Sequence, residues 1–224
     1  MRLGIKGLIV PNDDAWIYDL LEYESTSPKA VEDMLQQAET TGEDVDIDIN
    51  SPGGDVFSAS EIYSAIRAHK GTVNIHVVGI AASAASVIAC AAHSDIAPTA
   101  QMMVHRVSTS AYGNVNDLAH VTDQLEHADR AIAAAYVAKS GMSEHDALDM
   151  MDAETWLTAQ DAVDYGLIDE IAQPADSSAK AGTTVQMAAS VTAMLPPDVI
   201  AKMQQKKKKL EAELSLMRLK GVRK

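Results

Sequence analysis

Residues 72–92 read TVNIHVVGIAASAASVIACAA, and this stretch constrains the fold more than any other. Its first half is rich in β-branched residues and ends at Gly79. Its second half is almost wholly small and apolar. A β-rich run passing straight through a glycine into an alanine-rich run predicts a strand over 72–79 and a helix over 81–92. Side chains this small let another backbone come close. Two serines, Ser83 and Ser86, interrupt the apolar run. Each is either a polar filler in tight packing or a reactive group held at a fixed place.

The rest of the chain repeats the alternation of strand and helix. VDIDIN (45–50) has the period of a half-buried strand, and MMVH (102–105) predicts a third. SPKAVEDMLQQA starts with Ser27 as N-cap and Pro28 at the first helical position. After Gly54, the residues Ala59, Ile62, Tyr63 and Ile66 form one apolar helical face, closed by Gly71. A long helix is predicted over 116–139, another over 143–151 capped by Ser143. A last one follows Thr158, with Asp161 in its first turn and Gly166 at its end. The rhythm is that of an α/β fold with a mainly parallel sheet.

Composition narrows the class. The 224 residues suit one domain with a tail, and with only 4% aromatics the core rests on aliphatic side chains. The longest apolar run is too short to span a membrane, the N-terminus lacks a long apolar stretch, and Cys90 is the sole cysteine. A cytoplasmic protein with no membrane role is expected. The net charge of −14 is uneven: 198–224 carries nine basic and three acidic residues, leaving about −20 on the remainder. An acidic body argues against nucleic acid as a partner.

Ser83 falls just past the C-terminal end of a predicted strand, where open α/β sheets bind ligands, and near a helix start whose N–H groups favour negative charge. Ser86 lies a turn deeper and reads as filler. A serine nucleophile needs a base. Of seven histidines, His105 ends a strand of the same sheet and so reaches the same edge, whereas His76 lies mid-strand and His69, His120, His127 and His145 lie on helices. NSPGGD (50–55) also joins a strand to a helix. Its glycines allow close backbone approach, either for a ligand or for an ordinary turn. Asp44, Asp46 and Asp48 share one strand face and read as solvated. No metal-ligand spacing, nucleotide-binding loop or G-x-S-x-G elbow occurs, so no metal or cofactor is expected.

INSPGGDVFSASEIY, GIAASAAS, MMVHR and ETWLTAQDAVDYGLIDEI, in that order over roughly 15–172, resemble the Clp peptidase proteolytic subunit family (peptidase family S14). In finer detail they resemble its phage and prophage head-maturation branch. The resemblance implies a ClpP/crotonase-like fold of repeated β-β-α units and a serine endopeptidase with Ser83 as nucleophile and His105 as base. It puts Gly53, Gly54 and Ala84 around the oxyanion and the substrate. It further implies a polypeptide substrate, a capsid or scaffold protein in the phage branch, cut in the host cytoplasm or the procapsid interior. Stacked homo-oligomeric rings are implied too, touching through the long helix from Asn116, with an ATPase partner where the subunit is of the housekeeping kind. A non-catalytic relative and a crotonase-like acyl-CoA binder are the rival readings.

One position departs from the pattern. The family's aspartate lies six residues before the aromatic of the closing segment, and that position is Met150. Asp149, Asp152 and Glu154 are near. Asp152 is the expected third member, and a Ser–His dyad is the alternative. The serine-to-histidine interval is short, implying a trimmed loop around 94–98. The peptidase domain is expected over 1–173, a linker over 174–197 and a basic helical tail over 198–224. In the tail KKKK precedes Leu210, Leu214 and Leu216–Met217. It is expected to dock on an acidic protein surface of a neighbouring subunit or a capsid partner.

Overall fold

The computed structural model describes residues 1–173 and 195–221. Its strands are β1 (Arg2–Ile9), β2 (Ser25–Thr26), β3 (Val45–Gly54), β4 (Val73–Ala82), β5 (His93–Ile96), β6 (Gln101–Val104), β7 (Thr155–Thr158) and β8 (Glu170–Ile171). They form one sheet in the order β2-β1-β3-β4-β5-β8, every neighbour parallel. β6 pairs parallel with the far end of β4, and β7 pairs antiparallel with β6. The α/β class with a parallel sheet is the one expected.

β3 shows why the sheet forms. Val45, Ile47 and Ile49 are fully buried while Asp46, Asp48 and Asn50 alternate outward. The outward aspartates are partnered by neighbouring strands: Arg2 of β1 donates two 2.8 Å bonds to Asp48, and Asn74 and His76 of β4 face Asp46. On the buried side, α2 (Pro28–Thr41) and α3 (Val56–Ala68) contribute Val31, Leu35, Ile62 and Ile66 to the core. α2 starts as read, with Ser27 before Pro28, although the Ser27 side chain makes no capping bond. α3 stops at His69, two residues before Gly71.

The alanine-rich run differs from expectation. β4 continues through Ala82, and the helix that follows, α4 (Ala84–Ala89), is six residues long. Alanine fits strand or helix, and here Ala81 and Ala82 are claimed by the ladder to Met102 and Met103 of β6. The segment expected as the end of that helix turns instead toward β5, which the sequence reading lacked, along with β1, β2, β7, β8 and the short α1 (Ala15–Leu20). The later helices lie as read. These are α5 (Val115–Ser140), α6 (Glu144–Asp152) capped by Ser143, and α7 (Ala159–Asp164), which opens with a reciprocal Thr158–Asp161 capping pair.

The tail is helical as α8 (Pro197–Gly221). The surface its first turns meet is in its own chain. Leu195, Ile200 and Met203 pack on Leu8, Val10, Ile17 and Tyr18. Gln204 donates to Asp14 at 2.6 Å, and the Lys207 ammonium lies 4.9 Å over the Trp16 ring. The linker expected over 174–197 falls, except for its last three residues, outside the described residues. So do the side chains of Leu214, Leu216 and Met217.

Candidate active site

Ser83 stands where β4 ends and α4 begins. Its N–H donates to Met103 O at 2.9 Å, continuing the β4–β6 ladder by one step. Its carbonyl accepts the Ser86 N–H at 2.9 Å, which starts the helix. Between these two anchors the backbone is forced to φ 55°, ψ −126°. A non-glycine residue held there stores on the order of 1–3 kcal/mol, and such strain concentrates at functional sites. The parallel register of β4 and β6 brings His105, the residue after β6, to the same sheet edge. Its Nε2 lies 2.7 Å from the Ser83 Oγ.

The end of β3 completes the edge. Gly53 has φ 101° and packs so closely that a Cβ would sit 2.7 Å from both Ala82 O and Ser83 Cβ. At Gly54 (φ 148°) a Cβ would lie 2.1 Å from Ile9 O. Only glycine fits either position. The Gly53 N–H is already bonded to Ser51 Oγ at 3.1 Å. Ala84 opens α4, so its N–H has no acceptor within the helix. Asp55 then caps α3 through Ser58 N (2.7 Å) and Ser58 Oγ (2.6 Å), fixing the glycine turn from its far side. A cleft of about 330 Å³ opens beside Ser83 and His105, with apolar walls from Val56, Phe57, Val87, Leu125 and Ile132.

Ser86 is fully buried, and its hydroxyl is committed to Ser83 O (2.5 Å) and the Tyr136 hydroxyl (2.7 Å). Burial pushes the Tyr136 phenol above its ordinary pKa, keeping it neutral. This is the filler role read for Ser86.

The acids are arranged differently from expectation. Asp152 does not lie under His105. It takes the fork of Arg106, Nε to Oδ1 at 2.5 Å and Nη2 to Oδ2 at 2.9 Å. The physical reason is geometric: two parallel N–H groups match a carboxylate better than one imidazole N–H does. The pairing holds the Asp152 carboxyl below its usual range, and Asp152 first, then Asp129, raises Arg106 further. Asp149 faces His145 at 3.4 Å on the surface of α6, and Glu154 is exposed with φ 48°. Among the described residues no carboxylate hydrogen-bonds to His105.

Two residues beside the site escaped the sequence reading. Asp129 of α5, 3% exposed, accepts the Val107 N–H at 2.7 Å through one oxygen and Arg106 Nη1 at 3.0 Å through the other. A signal was available: Leu125, Asp129, Ile132 and Tyr136 recur at helical spacing, which puts an acid on the inward face. Arg106 carried no signal beyond adjacency to His105. Of the other histidines, His76 bridges Asp95 (2.7 Å) and Asp46 (3.5 Å) on the outer sheet face. Among the described residues no group of three or more His, Cys, Asp or Glu side chains is placed to hold a metal ion. Among them no helix is long and apolar enough to cross a membrane.

A mainly parallel α/β sheet that brings a strained serine and an imidazole to one strand edge has the parts that serine-type hydrolysis needs. Comparison with known proteins gives the family. The Clp protease family profile matches residues 20–175, and the chain belongs to that family. It is 30% identical over 156 residues to ATP-dependent Clp protease proteolytic subunit 2 of Rhodococcus jostii (strain RHA1), covering 68% of this chain and 78% of the relative. It is 30% identical over 146 residues to proteolytic subunit 1 of Streptomyces avermitilis (64% and 67%). To proteolytic subunit 2 of Nocardia farcinica it is 28% identical over 148 residues (65% and 73%). The chain is a serine peptidase of the Clp type.

Proposed function

We propose that the chain is an endopeptidase in which Ser83 is the nucleophile and His105 its general base. The observation that carries this reading is the 2.7 Å separation of His105 Nε2 from Ser83 Oγ at the mouth of an apolar cleft. His105 takes the hydroxyl proton as Oγ attacks the scissile carbonyl carbon, then gives it to the departing amine. A water molecule repeats the sequence on the acyl-enzyme. The N–H groups of Gly54 and Ala84 hold the oxyanion, each such donor contributing ~3 kcal/mol. Gly53 serves by its missing side chain rather than by its N–H. The substrate lies extended beside the glycine turn as an added strand, with an apolar side chain in the cleft. The test is Ser83→Ala, which should abolish peptide hydrolysis and labelling by a fluorophosphonate while leaving assembly intact. Hydrolysis that survives the change would refute the assignment.

The first half of α5 supports assembly of stacked rings. Tyr112, 98% exposed, and Val115, 82% exposed, lie at its start beside exposed Leu118, an apolar edge suited to a second copy. For the biological role we propose processing of a capsid or scaffold protein during phage head maturation, on the likeness of SPGGDVF, AASAAS and DAETWLTA to that branch. A second reading is a housekeeping subunit fed by an ATPase, favoured by the names of the relatives. Incubation with candidate scaffold protein, with and without a Clp ATPase and ATP, separates them. Cleavage without the ATPase supports the first reading, and dependence on it supports the second.

A further inference from the structure

Resting on Ser83 and His105 as nucleophile and base, we propose that Asp129 and Arg106 form a clamp that positions His105. The same clamp holds Asp152 away from the imidazole, so that the pair works on its substrate as a dyad. The chain leaves β6 at His105 and has no further ladder to guide it. The next two residues are seized instead. The Val107 N–H is bonded to one oxygen of Asp129, and the Arg106 guanidinium to the other. Both bonds come from a nearly buried carboxylate on α5, a long helix anchored in the core through Ile132, Ala133 and Tyr136. Charge-assisted bonds of this kind are short and directional, and fix the backbone on the C-terminal side of His105 as the ladder fixes it on the other. The outer edge of the guanidinium is filled by Asp152 at the end of α6. Arg106 thus joins β6, α5 and α6 at the point where the imidazole needs a fixed aim.

The arrangement assigns Asp152 a role through Arg106 and none on His105 itself. A double-mutant cycle in the full-length assembled protein separates the two. Asp129→Asn keeps an acceptor for the Val107 N–H but loses the charge facing Arg106. It should lower kcat about 10- to 100-fold with KM little changed, the signature of a misplaced catalytic group. Arg106→Ala, which leaves the nearly buried Asp129 carboxylate without its charged partner, should lower kcat similarly in the folded variant. Arg106→Lys should recover only part of the loss, because an ammonium cannot fork to two carboxylates. Asp152→Asn should cost less than about 10-fold, and should cost nothing further in the Arg106→Ala background. If Asp152 is instead the acid of a triad, Asp152→Asn loses about 10²- to 10⁴-fold and does so in both backgrounds, which overturns the proposal. Unchanged kcat in both Asp129→Asn and Arg106→Ala overturns it as well. Fluorophosphonate labelling of the wild type, with Ser83→Ala as control, keeps the readings apart. Absence of Ser83-dependent labelling removes the nucleophile assignment and not the clamp alone.

Discussion

Replacing Ser86 by alanine tests the division of labour between the two serines. The Ser86 hydroxyl bridges Ser83 O and the Tyr136 hydroxyl. The Ser83 carbonyl keeps a partner after the change, because it still accepts the Ser86 N–H at 2.9 Å. Tyr136 does not. Its hydroxyl, on a residue 2% exposed, is left without that bond. A stranded buried hydroxyl costs about 1–3 kcal/mol. For a domain of this size that is a fall in Tm of roughly 2–4 °C per kcal/mol. Tyr136→Phe should cost less, about 1 kcal/mol, since Ser86 retains Ser83 O. The double variant has no stranded group, so it should be more stable than Ser86→Ala alone. Thermal unfolding at one fixed protein concentration measures this, since self-association of any kind would make Tm depend on concentration. In parallel, Ser86→Ala should still be labelled by a fluorophosphonate and still cleave peptide. A double variant destabilised by the full sum of the singles would refute the bonding argument. Labelling lost in Ser86→Ala but kept in Ser83→Ala would refute the choice of nucleophile.

Gly53→Ala should reduce kcat by at least about 10-fold, because the methyl would press on Ser83 Cβ and Ala82 O at 2.7 Å. Peptide hydrolysis by the folded variant checks this, and near-normal kcat would contradict the packing. Acid should destabilise the fold through carboxylates held low in the native state. Burial opposes ionisation of Asp169, but Lys139 and the Ser94 N–H outweigh it. Thr158 holds Asp161 low. A depressed native pKa stabilises at neutral pH, and that contribution is lost as pH falls from about 4 through the native value. Asp169→Asn should therefore flatten the decline in urea midpoint between neutral and acid pH, and an unchanged slope would count against it.

What the sequence disclosed follows from the range of the forces involved. β3, β4 and β6 were legible because alternation and β-branching are local. The edge location of Ser83 and His105 was legible because parallel strands end on the same side. β1 was not read: Gly4, Lys6 and Gly7 break its apolar pattern, and its place between β2 and β3 depends on pairing with Ser25 and Thr26 on one side and with the remote residues 46–54 on the other. The boundary between β4 and α4 was misplaced for a related reason, since only the remote β6 decides which way Ala81 and Ala82 go. Asp152 was expected under His105 on proximity in sequence to the family's position. Its actual partner, Arg106, lies 46 residues earlier and wins by matching two oxygens at once. Asp129 is the instructive omission, because helical spacing alone placed a charged residue on an apolar face.

The C-terminal helix shows charge and burial acting on different faces of one element. Its composition directed attention to electrostatics, yet most of the contacts to α1 and β1 described above are apolar, supplemented by Gln204 to Asp14 and Lys207 over Trp16. Exposed ion pairs contribute about 0–1 kcal/mol and are screened beyond ~10 Å at 0.1 M salt. Burying an aliphatic side chain fully contributes about 1.5–3 kcal/mol and is not screened. Ile200 and Met203 are only partly buried, but together they still outweigh one cation over a ring. Docking through this apolar stripe leaves Lys206, Lys208 and Lys209 exposed. We propose that contact with an acidic partner would use these lysines, on other faces of α8 than the one anchored to the same chain. Salt should weaken only that contact, because the anchor is held by contacts that ionic strength does not reach.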